Sequence, residues 1–112
     1  MLFRTLFSRA ADPSDLGLEA FAKAVQAGEA IVVDVREPHE FAAGHIPGAV
    51  NLPLSRFEPA SLPSGKQVVL VCQCGGRSHS ALARARVAGR DDVRHFAGGM
   101  SQWREAGGAV AS

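Results

Sequence analysis

The chain has 112 residues, 46% of them hydrophobic and 21% charged, which is the size of one compact domain with enough apolar material for a core. Twelve Lys and Arg against eleven Asp and Glu leave a formal charge of +1, excluding broad electrostatic attraction to nucleic acid or an anionic membrane. The only two cysteines, Cys72 and Cys74, are one residue apart, so a disulfide framework is excluded while reactivity, metal binding and redox work stay open.

The first ten residues, MLFRTLFSRA, carry Arg4 and Arg9 among apolar residues and no acid, a superficial likeness to an organellar targeting segment. An uncleaved apolar arm over residues 1–13 is the simpler expectation, followed by a single domain over 14–112. No apolar run approaches the ~20 residues needed to span a bilayer. With no Tyr, six Phe and one Trp, the chain also lacks the makings of an aromatic nucleic-acid platform. A soluble, cytoplasmic protein is expected.

In DPSDLGLEAFAKAVQAG, Asp12 or Ser14 is placed to cap a helix whose apolar residues Leu18, Phe21 and Val25 recur at helical spacing up to a stop at Gly28. The run AIVVDV over 30–35 has the continuous apolar character of a central parallel strand covered on both faces. Pro38 is placed to open a short helix carrying Phe41. Gly44, Pro47 and Gly48 then punctuate a turn into a strand around 49–52.

Residues 55–65 read as a connection or a short helix. QVVLV over 67–71 repeats the buried-strand signature. SHSALARARVAG over 78–89 predicts a helix with Leu82, Ala83, Ala85 and Val87 available for packing. A short strand at 92–96 and a final helix with Met100 and Trp103 on one face complete an open, mainly parallel α/β sheet with helices on both sides. Such sheets place their ligands beyond the carboxyl ends of the strands.

Cys72 stands at the end of QVVLV, where this architecture puts its site. Gly75 and Gly76 permit backbone angles closed to other residues, so successive N–H groups can turn toward one point. The following helix adds its unpaired amides and the positive end of its dipole. These donors favour a thiolate at Cys72 and an anion beside it, which suits attack either on a phosphoester or on a sulfane sulfur. Cysteine phosphatases need a longer cradle, H-C-x5-R. Here Val71 precedes the cysteine and four residues separate it from Arg77, so a smaller guest is indicated.

VVLVCQCGGRS resembles the active-site strand and loop of the rhodanese (sulfurtransferase) family, whose pattern C-x-x-G-x-R-S is matched by Cys72, Gly75, Arg77 and Ser78. VVDVREPHEFAAGHIPGAVNLP before the loop, the helix after it and HFAGGMSQWREAGGAV resemble further family segments in order. Together they cover about 18–110. The resemblance implies a rhodanese-like, mostly parallel five-stranded sheet flanked by helices on both faces, in a single-domain member whose cysteine cycles between thiolate and persulfide.

On that basis Cys72 is expected to take sulfane sulfur from a donor such as thiosulfate, releasing sulfite, and to pass it to cyanide or a thiol. No cofactor and no metal is expected. Backbone N–H groups of Gln73, Cys74, Gly75, Gly76, Arg77 and Ser78 are expected to hold the thiolate and the outer persulfide sulfur. Arg77 either meets the anionic donor or pairs internally with a carboxylate. Asp34 and Arg36 are expected to point different ways at their strand end and to brace the site through ion pairs, with Glu40 a candidate partner for Arg36. His45 is expected in a structural hydrogen bond rather than in proton transfer. His79 sits at the helix start, and His39 and His95 carry no signal. Cys74 is expected as a loop residue without a catalytic part. Cys72, Cys74 and His79 match no strong zinc spacing. The alternative function is a persulfide carrier or interaction module serving another sulfur-metabolism enzyme, with a protein as sulfur donor or acceptor.

Overall fold

The computed structural model describes residues 14–112; the expected arm over 1–13 and the Asp12 cap lie outside them. In chain order come α1 (Leu18–Gln26), β1 (Ala30–Asp34), α2 (Pro38–Ala43), β2 (Val50–Asn51), 3-10 turns at Leu54–Arg56 and Pro59–Ser61, β3 (Gln67–Val71), α3 (Gly76–Val87), β4 (Arg94–His95) and α4 (Gly99–Glu105). The strands form one sheet in the order β2-β1-β3-β4, and every pair is parallel.

Among the described residues the sheet therefore has four strands rather than the expected five. Beside β4, residues 14–16 make a single parallel bridge, in which the amides of Leu16 and His95 donate to the carbonyls of His95 and Ser14 at 2.9 and 2.8 Å. Among the described residues this fifth position extends no further than the one bridge. The chain turns into α1 directly afterwards, with Gly17 rather than Ser14 as the residue before the first helical turn.

Side-chain alternation along the strands divides the core into two layers. Val33 and Val35, then Val68, Leu70 and Cys72, face Ala81, Leu82 and Ala85 of α3 together with Phe57, Leu62 and Val93. Val32, Val69 and Val71 face the opposite side, where Phe21 of α1 packs with Ile46, Phe96, Met100 and Trp103. Phe21 stacks on Phe96 at 4.4 Å and meets Trp103 edge-on at 5.5 Å. The buried stripe of α3 is Ser78, Ala81, Leu82 and Ala85, a spacing of three and four residues. Ala83 and Val87 lie off that stripe and turn outward, Val87 being 91% exposed.

Local chemistry accounts for the short elements. Pro38 opens α2 with its ring-fixed backbone angle. Glu37 and Glu40 form a reciprocal capping box around the same turn. Among the described residues no helix is long and apolar enough to cross a membrane. Since Phe21 is wholly buried between two aromatic partners, Phe21→Ala is expected to lower stability by about 3–5 kcal/mol in urea unfolding, and a loss below ~1 kcal/mol would contradict this packing.

Candidate active site

Strand parity aims the cysteine. Cys72 follows β3 on the same face as Val68 and Leu70, so its side chain enters the layer beneath the N-terminus of α3, where it is 1% exposed. Its Sγ accepts the backbone N–H of Gly75 at 3.1 Å and that of Ser78 at 3.3 Å. Among the described residues, these are the backbone amides that reach the sulfur.

The cradle is shorter than the sequence suggested, because α3 begins at Gly76 rather than Ser78. Residues 73–75 form the turn, and the first turn of the helix supplies the rest. Only Gly75 uses the left-handed region, at φ 100°. A Cβ there would lie 2.5 Å from the Ala97 carbonyl oxygen. Gly76 is an ordinary first helical residue with nothing near its Cβ position. The amides of Gly76, Arg77 and Ser78 precede the first intrahelical bond, which His79 donates to the Gly75 carbonyl at 3.0 Å.

The outer side of the turn is fixed by α4. The amides of Met100 and Ser101 donate to the carbonyls of Cys72 and Gln73 at 2.9 and 3.1 Å. Gly99 makes this approach possible: a Cβ on it would lie 2.5 Å from each of those carbonyl oxygens. With these two carbonyls held against α4, the turn is oriented so that its amides face the sulfur. Gln73 reaches the Ser101 hydroxyl at 3.1 Å. Cys74 is exposed on the outside, 3.5 Å from that same hydroxyl.

Arg77 takes the internal partner. It donates to both carboxylate oxygens of Glu40, at 2.7 and 3.1 Å, tying α3 to α2. The Arg77 hydrogen bonds hold the Glu40 carboxyl down to about 2, and Glu40 in turn raises Arg77 above its ordinary range. Glu40 is therefore not the carboxylate partner of Arg36.

Arg36 pairs with Asp34 instead, from Nε to Oδ1 at 3.0 Å and from Nη2 to Oδ2 at 2.7 Å. The expectation that these side chains diverge is corrected: residues two apart on a strand share a face. Arg36 also donates to the Gly44 carbonyl at 2.7 Å, bracing the end of β1 against the α2 loop. His45 stacks on Phe41 at 3.8 Å, and its Nδ1 lies 2.7 Å from the Phe41 carbonyl. Its backbone forms a two-bond bridge with Ala111, so its contacts belong to the scaffold.

His95 is the residue that sequence reading missed. It is buried, and its Nδ1 is 3.0 Å from the Ser78 hydroxyl, which is itself 3.6 Å from Cys72 Sγ. The available signal was period two: Val93 and His95 share a face of the strand, and His95 registers against Leu70 on the α3 side. Among the described residues, Cys72, Cys74 and His79 do not belong to any grouped set of metal-ligating side chains. A surface hollow of about 650 Å³, bordered by Pro59, Ala83, Arg84 and Val87, runs along the outer side of α3 and contains none of the loop residues.

Residues 18–106 match the model of the rhodanese-like domain, and the chain belongs to that family. Human thiosulfate:glutathione sulfurtransferase is 35% identical over 94 residues, covering 70% of this chain and 82% of the human protein. A solved human single-domain sulfurtransferase superposes with a TM-score of 0.71 at 33% identity, over 84% of this chain and 97% of the other. An uncharacterised protein of Synechocystis is 49% identical over 79 residues, or 69% of this chain. The chain spans half or less of the length of several relatives, including 44% of the Synechocystis protein and 50% of a putative sulfur carrier protein of Bacillus subtilis. Family and relatives together support sulfur transfer as the general activity.

The Glu40–Arg77 pair gives a pH-dependent expectation. The Glu40 carboxyl is depressed from 4.5 to about 2 in the folded chain, so the pair's contribution is complete above about pH 4.5 and fades as pH falls toward about 2. Both side chains are partly open to solvent, which limits that contribution to ~1 kcal/mol or less. Glu40→Gln keeps an acceptor for the α2 cap, and its stability deficit in urea unfolding is expected at neutral pH and to vanish in acid. A deficit unchanged across that range would contradict the assignment.

Proposed function

We propose that this domain moves sulfane sulfur from thiosulfate or a low-molecular-weight persulfide to a thiol or cyanide, with Cys72 as the carrier. The observation that carries this reading is the Cys72 sulfur held by the Gly75 and Ser78 amides at the N-terminus of α3. Two N–H donors and the helix dipole favour negative charge on that sulfur. A thiolate so stabilised needs no separate general base.

In the first half-reaction the Cys72 thiolate attacks the outer sulfur of thiosulfate. The S–S bond of the donor breaks, and its electron pair leaves with sulfite. The outer sulfur of the resulting persulfide extends from the buried Sγ toward the first-turn amides of Gly76 and Arg77, which have no intrahelical acceptor. In the second half-reaction an acceptor thiolate or cyanide takes that sulfur, and the S–S bond to Cys72 breaks to restore the thiolate. Arg77, committed to Glu40, braces the cradle rather than gripping the donor. Asp34, Arg36 and His45 support from farther back, and Cys74 borders the mouth without taking part in transfer.

A carrier role for the same persulfide has its own support in the likeness to the Bacillus subtilis protein named as a putative sulfur carrier. In that case a protein persulfide donor loads Cys72 much faster than thiosulfate does. Incubation with thiosulfate or a small persulfide is expected to add one sulfur atom by intact mass, removable by cyanide and absent in Cys72→Ser. Undiminished transfer to cyanide by Cys72→Ser would overturn the assignment.

A further inference from the structure

Ser78 has a single hydroxyl proton and three neighbours to which it can be directed. In the thiol form Cys72 Sγ donates to Ser78 Oγ at 3.6 Å and Ser78 Oγ donates to the Gly75 carbonyl oxygen at 3.2 Å, while His95 Nδ1 lies 3.0 Å from that hydroxyl. Ser78, His95 and Cys72 are all buried, so water does not compete freely for these bonds. A carbonyl only accepts, whereas an imidazole nitrogen donates or accepts according to its tautomer. The tautomer of His95 therefore decides what the hydroxyl offers the sulfur.

If Nδ1 accepts, it takes the only hydroxyl proton, and Ser78 turns lone pairs toward Cys72. That arrangement suits a thiol S–H and opposes a thiolate. If Nδ1–H donates instead, the hydroxyl proton is released to swing between the Gly75 carbonyl and the sulfur. A thiolate or persulfide anion then gains a third donor beside the two backbone amides.

The position of His95 is well fixed for this task. Its amide donates to the Ser14 carbonyl and its carbonyl accepts from Leu16 on one side, while its register against Leu70 holds it to β3 on the other. His79, from the first turn of α3, approaches with ring centroids 5.9 Å apart. We propose that His95 is a positioning residue for sulfur transfer, donating from Nδ1–H to Ser78 Oγ and thereby keeping that hydroxyl available as a donor to the Cys72 sulfur. This rests on Cys72 being the sulfur carrier.

The test is a double-mutant cycle on the second-order rate of Cys72 alkylation by iodoacetamide at neutral pH, localised to Cys72 by peptide fragmentation. Ser78→Ala and His95→Phe are each expected to slow alkylation about tenfold, the scale of one hydrogen bond to a charged group. The double variant is expected to be no slower than either single one, because His95 acts on the sulfur only through the Ser78 hydroxyl, whose oxygen its N–H orients and polarises. His95→Asn, which keeps a polar atom at the δ position opposite Ser78, is expected to recover most of the rate.

Wild-type alkylation by His95→Phe, or slowing that multiplies with that of Ser78→Ala, would overturn the proposal. Thermal melts accompany each variant. Should His95→Phe fail to fold, His95→Gln, whose amide is displaced from Ser78, takes its place in the cycle with the same expected outcomes. Sulfur loading from thiosulfate and from a small persulfide is measured in parallel. A wild-type chain that loads from neither while the cycle is non-additive contradicts the transfer reading alone. Normal loading with a multiplicative cycle contradicts the role of His95 alone.

Discussion

The chemistry of this domain depends on one backbone constraint: the chain from Cys72 to Ser78 is oriented with two carbonyls outward and its amides inward. The outward carbonyls of Cys72 and Gln73 are held by the first amides of α4, and the inward amides of Gly75 and Ser78 reach the sulfur. Each half depends on a glycine. Gly75 permits the left-handed turn under Ala97, and Gly99 lets α4 approach the carbonyls without a Cβ in the way. Because the donors are backbone groups fixed by two helices and a strand, they need little reorganisation when negative charge develops.

The rest of the fold holds this turn in place. Parallel pairing of β1 and β3 over five residues sets the depth at which Cys72 emerges. The aromatic layer of Phe21, Phe96 and Trp103 sits on the side of the sheet occupied by α4. On the opposite side, Ala81, Leu82 and Ala85 seat α3 so that its first turn lies over the sulfur. Ion pairs lock the surrounding loops: Asp34 with Arg36 at the end of β1, and Glu40 with Arg77 between α2 and α3. Near-neutral net charge is compatible with this design, since the groups proposed to hold an anion are amides rather than a basic surface.

Features written in local periodicity were legible from the sequence. The four-residue apolar run before Cys72, the helical spacing of Leu18 and Phe21, and the punctuation by Pro38 and Gly28 all carry their geometry within a few residues. So did the placement of Cys72 at a strand end beside a glycine turn. Pairings between distant elements were not legible. Glu40 lies one helical turn from Arg36 in sequence, yet a neighbouring helix brings Arg77 to it across 37 positions. His95 shares a face with Val93, but its contact with Ser78, 17 positions away, is set by the register of its two-residue strand against β3. Among the described residues the implied fifth strand is represented by one bridge, after which Gly17 turns the chain into α1.

In the proposed reaction these backbone amides, rather than a charged side chain, hold the transferred sulfur on Cys72. A high-resolution crystal structure of the chain after reaction with thiosulfate tests it most directly. Continuous density is expected beyond Cys72 Sγ for one further sulfur, within hydrogen-bond reach of the first-turn amides of α3, with Arg77 still paired to Glu40. A sulfur attached to Cys74, or one held by an Arg77 that has left Glu40, would contradict it.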